Sequence, residues 1–179
     1  MLDTKSGRLV ELEQRSPVLK IWAADDEPLS PMHSTWVFEE HELDPEGQGT
    51  ACAVSVTRDT DGAVRHFLGQ NGLKLRRLLI ARPSAGVSAQ SVASGAHANA
   101  LAEQLAARVR ADRDARLCSR LERYHLFIAA PNAFTFYLGR QVAMLKPLTL
   151  YEFDFGFQVD NSYQPSLAYP EVATMPPAV

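Results

Sequence analysis

Short apolar runs recur along the chain and are separated by turn-rich or amphipathic segments. Runs that do not alternate are typical of strands covered on both faces, and runs that alternate are typical of strands with one buried face. On this basis the sequence predicts strands at residues 18–23, 34–39, 51–57, 75–81, 124–130, 148–155 and 162–169.

Three helices are predicted between these strands. A short one follows Arg58, where Asp59, Thr60 or Asp61 can cap it. A long one spans residues 92–121, with its apolar residues on one stripe. A third opens at Pro131, because a proline there has no N–H to leave unpaired. The second half of the long helix and the residues after it carry arginines, which we expect to form a solvated face: Arg108, Arg110, Arg113, Arg116, Arg120 and Arg123.

The alternation of strands and helices predicts an α/β fold. We expect a three-layer sandwich with a mainly parallel central sheet and an antiparallel C-terminal edge. Residues 1–16 are polar and are predicted to form a lead-in with at most a short helix. One domain is expected over residues 17–170, followed by a loose tail at residues 171–179.

Composition narrows the class of protein. The formal net charge is −3 and the sequence pI is about 5.9, so no global basic field favours nucleic-acid polymers. The two cysteines, Cys52 and Cys118, have apolar neighbours and are predicted to be reduced and buried. No apolar run approaches the roughly 20 residues that a membrane helix needs, and no signal peptide is recognisable. We therefore expect a cytoplasmic protein without membrane contact.

Catalytic signatures are absent from the sequence. It contains no GxSxG, P-loop or HExxH motif, and its histidines show no metal-ligand spacing, so no metal or cofactor is predicted. His125 is expected to be a partly buried hydrogen-bonding residue rather than a catalytic one. These observations favour ligand recognition over turnover.

The ends of three predicted strands carry residues suited to an anionic ligand. Arginine can fork onto phosphate oxygens, and the free N–H groups of a helix that opens at Pro131 can accept a second phosphate. Asn132 can read a base edge, and Phe134 or Tyr163 can stack on a base. Two of these assignments have alternatives, since Phe134 can instead belong to the core and Arg82 can simply be exposed. The candidate ligand-binding residues are Thr57, Arg58, Arg82, Pro131, Asn132, Phe134 and Tyr163.

Two segments of the chain carry a resemblance to a known family. One is His125-Leu-Phe-Ile-Ala-Ala-Pro-Asn-Ala-Phe-Thr-Phe-Tyr-Leu-Gly-Arg140, and the other is Ala53-Val-Ser-Val-Thr-Arg-Asp59 with its short helix. Both resemble the SAVED domain, a sensor module of bacterial antiphage (CBASS) effectors that is itself similar to CARF sensors, and the first looks like the family's strand, proline turn and helix ending in Gly-Arg. A weaker similarity is Tyr163-Gln-Pro-Ser-Leu167.

This resemblance implies a Rossmann-like, CARF-like domain that binds a cyclic di- or trinucleotide made by a partner nucleotidyltransferase. It also implies self-association on binding, and activation of a fused or associated effector, such as a nuclease, that lies outside these residues. Two other functions stay open. One is a ring-nuclease-type phosphodiesterase that degrades the messenger, and the other is an assembly or adaptor domain without a small ligand.

Overall fold

The computed structural model of the chain describes residues 12–14, 20–115, 122–153 and 163–170. The elements follow one another in the order β1 (Leu12–Gln14), β2 (Lys20–Trp22), β3 (Trp36–Glu42), β4 (Thr50–Ser55), α1 (Asp61–Asn71), β5 (Arg77–Pro83), α2 (Gly95–Asp114), β6 (Tyr124–Ala129), α3 (Asn132–Arg140), α4 (Val142–Leu145), β7 (Leu148–Phe153) and β8 (Tyr163–Tyr169).

The main sheet has six strands in the order β3-β5-β4-β6-β7-β8. Its four inner strands run parallel, and β8 pairs antiparallel with β7, which confirms the predicted fold class. The sheet also has a second antiparallel edge, because β3 pairs antiparallel with β5. An antiparallel strand therefore forms each edge of the sheet.

Helices cover both faces of this sheet. On one face, α1 packs Val64, Phe67 and Leu68 against a core that includes Phe127 and Tyr151. On the other face, α2 and α3 pack together over the opposite side of the same strands. All six residues of β4 are buried, which explains why its sequence lacks alternation.

The N-terminal prediction needs a correction. Residues 12–14 form β1, which pairs antiparallel with β2 in a separate two-stranded sheet, whereas at most a short helix was expected in the lead-in. Helix α2 ends at Asp114 rather than at residue 121. Cys52 is buried as predicted, and burial raises the pKa of its thiol to about 12. Several other predictions lie outside the described residues: those for most of the lead-in, Arg116, Cys118, Arg120 and the tail at 171–179.

The expected solvated arginine face of α2 is wrong for two of its members. Arg113 is buried and donates a hydrogen bond to the carbonyl oxygen of Leu145 at 3.1 Å. Arg108 is half-buried and donates to Asp112 Oδ1 at 2.8 Å. Arg110 does lie on the surface, with its side chain 69% exposed.

Asp112 is the centre of a buried polar network at the end of α2. Its side chain is only 3% exposed and accepts hydrogen bonds from Arg108, from Arg77 at 2.8 Å and from the Tyr124 hydroxyl at 3.2 Å. Glu40 of β3 accepts from both arginines. Four elements, β3, β5, α2 and β6, are thereby joined through charge-assisted hydrogen bonds.

Candidate ligand-binding site

The parallel strands β5, β4, β6 and β7 end along one side of the sheet, which we call the carboxyl edge. From β4 the chain passes through α1 to β5, whereas from β6 it passes through α3 to β7 in the opposite direction. The two helices lie on opposite faces. This reversal produces a crevice between the ends of β4 and β6, the position where open α/β sheets bind ligands.

Backbone hydrogen bonds hold the two sides of this crevice together. The N–H groups of Val56 and Thr57 both donate to the carbonyl oxygen of Ala129 at 2.9 Å. Behind them the buried Ser55 hydroxyl bonds the Thr60 hydroxyl at 2.8 Å and accepts from the Thr60 N–H at 3.0 Å. The turn that carries Thr57 and Arg58 is therefore fixed beside the end of β6.

Arg58 lies exposed at this turn. Its guanidinium stands 4.8 Å from the centroid of the Phe153 ring at the end of β7, which is within the range of a cation–π contact. Phe153 packs edge-on against Tyr163, with 5.3 Å between their centroids. Burial raises the pKa of Tyr163, and the charge of Arg58 opposes that rise. Arg58 is thus oriented across the crevice by an aromatic pair.

Arg82, at the end of β5, is engaged by carboxylates. It donates to Glu39 at 2.8 Å, and its other terminal nitrogen lies 3.4 Å from both oxygens of Asp59 and 3.7 Å from Asp61. Burial would raise the pKa of Asp59, but the N–H of Asp61 and the charge of Arg82 outweigh it and lower that pKa. Arg82 therefore fixes the start of α1 rather than facing the crevice unpaired, and a ligand contact from it stays a prediction.

Pro131 and Asn132 form the start of α3 on the other side of the crevice. Pro131 is buried at the N-cap position and provides no side-chain hydrogen bond to the first turn. Asn132 is exposed. A helix that begins without a side-chain cap leaves its first N–H groups without a side-chain acceptor, and here these groups and the positive end of the helix dipole lie at the crevice.

The two aromatic residues predicted to stack on a base are both buried. Phe134 is fully buried and packs edge-on against Trp36 at 5.8 Å, so its ring belongs to the core. Tyr163 is 4% exposed and packs against Phe67 and Phe127. Phe153, which was not among the predicted residues, is an aromatic ring that contacts Arg58. Its place at the end of the alternating run 148–155 is the sequence signal that could have identified it.

A hollow of about 530 Å³ lies at the opposite edge of the sheet, at the amino ends of the parallel strands. It is lined by Glu40, His41, Glu42, Pro45, Arg76 and Arg77. Glu40 and Arg77 in that lining pair with each other, so they do not present unpaired charge to a ligand. Within the described ranges, no group of three or more His, Cys, Asp or Glu side chains could hold a metal ion. No described helix is long and apolar enough to cross a membrane.

The sheet order and the crevice at its switch point define a Rossmann-like α/β ligand-binding domain. Residues 1–168 match the profile of the family described as "SAVED: SMODS-associated and fused to various effectors sensor domain". The chain belongs to this family of sensor domains.

Individual relatives agree with this assignment. CD-NTase-associated protein 4 of Enterobacter hormaechei subsp. hoffmannii (strain UCI 50) is 36% identical over 169 residues, covering 92% of this chain and 32% of the relative. The Cap4 SAVED/CARF-domain containing receptor of Acinetobacter baumannii, solved with the cyclic trinucleotide 3′3′3′-cAAA, shares the fold with a TM-score of 0.62 and 20% identity, over 88% of this chain and 32% of that one. The same receptor with 2′3′3′-cAAA gives a TM-score of 0.59 and 19% identity, over 88% and 31%. The chain thus spans about a third of these relatives.

Proposed function

We propose that this chain is a non-catalytic sensor domain that binds a cyclic oligonucleotide at the crevice of the carboxyl edge, in the cytoplasm during antiphage defence. The observation that carries the proposal is the joining of the β4 and β6 ends, with Arg58 on one side and the start of α3 on the other. The solved Cap4 receptors hold cyclic trinucleotides, which supports this ligand class over a cyclic dinucleotide.

The chemistry of the crevice suits such a ligand. A cyclic oligonucleotide carries one negative charge on each phosphodiester, and the guanidinium of Arg58 forks onto the oxygens of one phosphate. The first N–H groups of α3 receive a second phosphate, and Asn132 reads a base edge. Arg58 is held by Phe153, so little side-chain entropy is lost when it binds.

The test is a panel of cyclic di- and trinucleotides, including 3′3′3′-cAAA and 2′3′3′-cAAA, measured by thermal shift and calorimetry. Ligand at a hundred times its dissociation constant stabilises a protein by about 2.7 kcal/mol. For a domain of this size that raises Tm by about 5–11 °C. A well-folded chain that no member of the panel stabilises would contradict the proposal and favour an adaptor without a ligand.

The substitution Arg58→Ala tests the binding site without disturbing the fold. Loss of a charged hydrogen bond of about 1.5–3 kcal/mol should weaken binding roughly ten- to a hundredfold. Arg110→Ala is the matched control, because Arg110 is an exposed arginine near the far end of α2 and pairs only loosely with Asp114, at 3.6 Å. Equal affinities of the two variants would place the site elsewhere.

Two further measurements concern the fate of the ligand and assembly. Chromatography after incubation should return the cyclic nucleotide intact, and linear products would instead identify a phosphodiesterase. Light scattering with and without ligand should show a larger assembly with ligand, which is how we expect the domain to activate a fused or associated effector. An unchanged mass would remove self-association from the proposal.

A further inference from the structure

Residues 23–35, which we call the strap, cross the start of α2 at the carboxyl edge. Asp26 attaches the strap to the helix. Its Oδ2 accepts a hydrogen bond from the Gly95 N–H at 2.7 Å, and its Oδ1 accepts one from the Ala96 N–H at 2.9 Å. Ser94 accepts from the His97 N–H at 3.1 Å. The first turn of α2 is therefore capped jointly by its own N-cap serine and by a carboxylate that lies about 70 residues away in the sequence.

The fit between strap and helix is tight at Gly95. A Cβ at this position would lie 2.2 Å from the carbonyl oxygen of Ala23 and 2.6 Å from its nitrogen. Only glycine lets the backbone of the strap approach the first turn this closely.

A second polar contact holds the far end of the strap. The Nδ1 of His97 accepts from the Ala93 N–H at 3.2 Å, so its Nε2 carries the proton and donates to the carbonyl oxygen of Ser34 at 2.8 Å. The ring of His33 stacks on that of His97, with 4.7 Å between centroids. The Ser34 hydroxyl also donates to the carbonyl oxygen of Ser91 at 3.1 Å.

Between the contacts made by Asp26 and by His97, buried apolar side chains contribute little to holding the strap on α2. The strap is bounded by the buried Trp22 and Trp36, but within it Leu29 is 57% exposed and Met32 is 90% exposed. A segment with few buried apolar contacts opens at a lower free energy than the core around it. The strap is therefore fixed at both ends by a buried tryptophan, whereas its middle is held on α2 by polar contacts alone.

We propose that the strap opens as a local unit hinged at Trp22 and Trp36, and that Asp26 is the latch that keeps it closed on α2. When the latch opens, the N–H groups of Gly95 and Ala96 lose their acceptor and become exposed at the carboxyl edge. The strap is thereby a conformational device at the carboxyl edge, and its closed form keeps the positive end of α2 occupied by an internal anion.

Residue-resolved hydrogen exchange of the full chain tests this directly. The amides of Gly95 and Ala96 should exchange through a local opening whose rate low concentrations of urea do not increase. The Ala98 amide donates to the carbonyl oxygen of Ser94 in the same helix, and it should exchange only through a larger unfolding that urea accelerates. This measurement needs no variant. If all three amides exchange with the same urea dependence, the strap does not open by itself and the proposal is overturned.

Variants supply the second test. Asp26→Ala should accelerate exchange at Gly95 and Ala96 about five- to thirtyfold, the effect of losing a helix cap. Asp25→Ala is the matched control, since it removes an adjacent exposed carboxylate that does not cap α2. Gly95→Ala, which displaces the strap sterically, should accelerate exchange at Ala96 as Asp26→Ala does. Equal exchange in the Asp25 and Asp26 variants would show that Asp26 is not the latch.

Discussion

Replacing Asp112 by asparagine tests the buried network at the end of α2. The substitution is nearly isosteric, so it leaves no cavity, but it removes the carboxylate that contacts Arg77, Arg108 and Tyr124 together. The amide keeps one acceptor oxygen and turns its NH₂ group toward a guanidinium. Two arginines then depend on Glu40, whose side chain is 41% exposed.

Breaking a buried ion pair by removing one partner typically costs about 3–5 kcal/mol. The lower end applies here, because the side chain of Arg108 is 23% exposed and Glu40 still neutralises part of the charge. We therefore expect Asp112→Asn to lower the free energy of unfolding by about 3 kcal/mol. For a domain of this size that corresponds to a fall in Tm of about 6–12 °C.

The assay is urea unfolding followed by circular dichroism, with calorimetry for Tm. Asp114→Asn is the control, since Asp114 lies two residues further along the same helix, is 54% exposed and pairs with Arg110 at 3.6 Å. Surface pairs of this kind contribute about 0.5 kcal/mol or less. If Asp112→Asn costs no more than Asp114→Asn, the buried network does not stabilise the fold. Adding Arg77→Met to Asp112→Asn should recover part of the loss, because it removes the uncompensated charge.

Four further predictions concern the histidines, glycines and core. Burial lowers the pKa of His125 from 6.5 to about 4, so the stability that its neutral form contributes is complete above pH 6.5 and is lost as the pH falls toward 4. Urea midpoints measured against pH should therefore fall less steeply in His125→Asn than in the unsubstituted chain, whereas His66→Asn should leave the fall unchanged. Gly69→Ala, with open space around its Cβ in α1, should stabilise by about 0.5–1 kcal/mol in urea unfolding. Gly49→Ala should destabilise by more than about 1 kcal/mol, because φ is +92° and its Cβ would lie 2.6 Å from a backbone carbonyl oxygen. Phe134→Ala should cost about 3–5 kcal/mol, and a loss below about 1 kcal/mol would contradict its place in the core.

Local patterns were sufficient for the parallel inner strands, for the antiparallel C-terminal edge and for the two sides of the crevice. The run 51–57 lacks alternation because β4 is covered on both faces, and the same is true of much of β6. Pro131 marks the change from strand to helix because its fixed φ suits a helix start. The carboxyl ends of parallel strands must share one edge, so the sequence alone predicts that Thr57, Arg58, Pro131 and Asn132 lie together.

The partners of individual side chains could not be predicted in this way. Arg82 looks like a ligand residue in the sequence, but Glu39 and Asp59, which lie 43 and 23 residues away, engage it in the fold. The arginines of α2 read as a surface stripe, yet Arg113 packs against the carbonyl of Leu145. The sequence contains these residue types but not the distances between elements that meet only after folding.

The sequence by itself determined the α/β class, the parallel inner strands and the edge at which they end, because strand burial and helix starts are local properties of the chain. The tertiary structure alone decided that Phe134 and Tyr163 belong to the core, that Phe153 orients Arg58, and that Asp26 caps α2. Each of these depends on a contact between residues far apart in sequence, and only the packing of the layers brings them together.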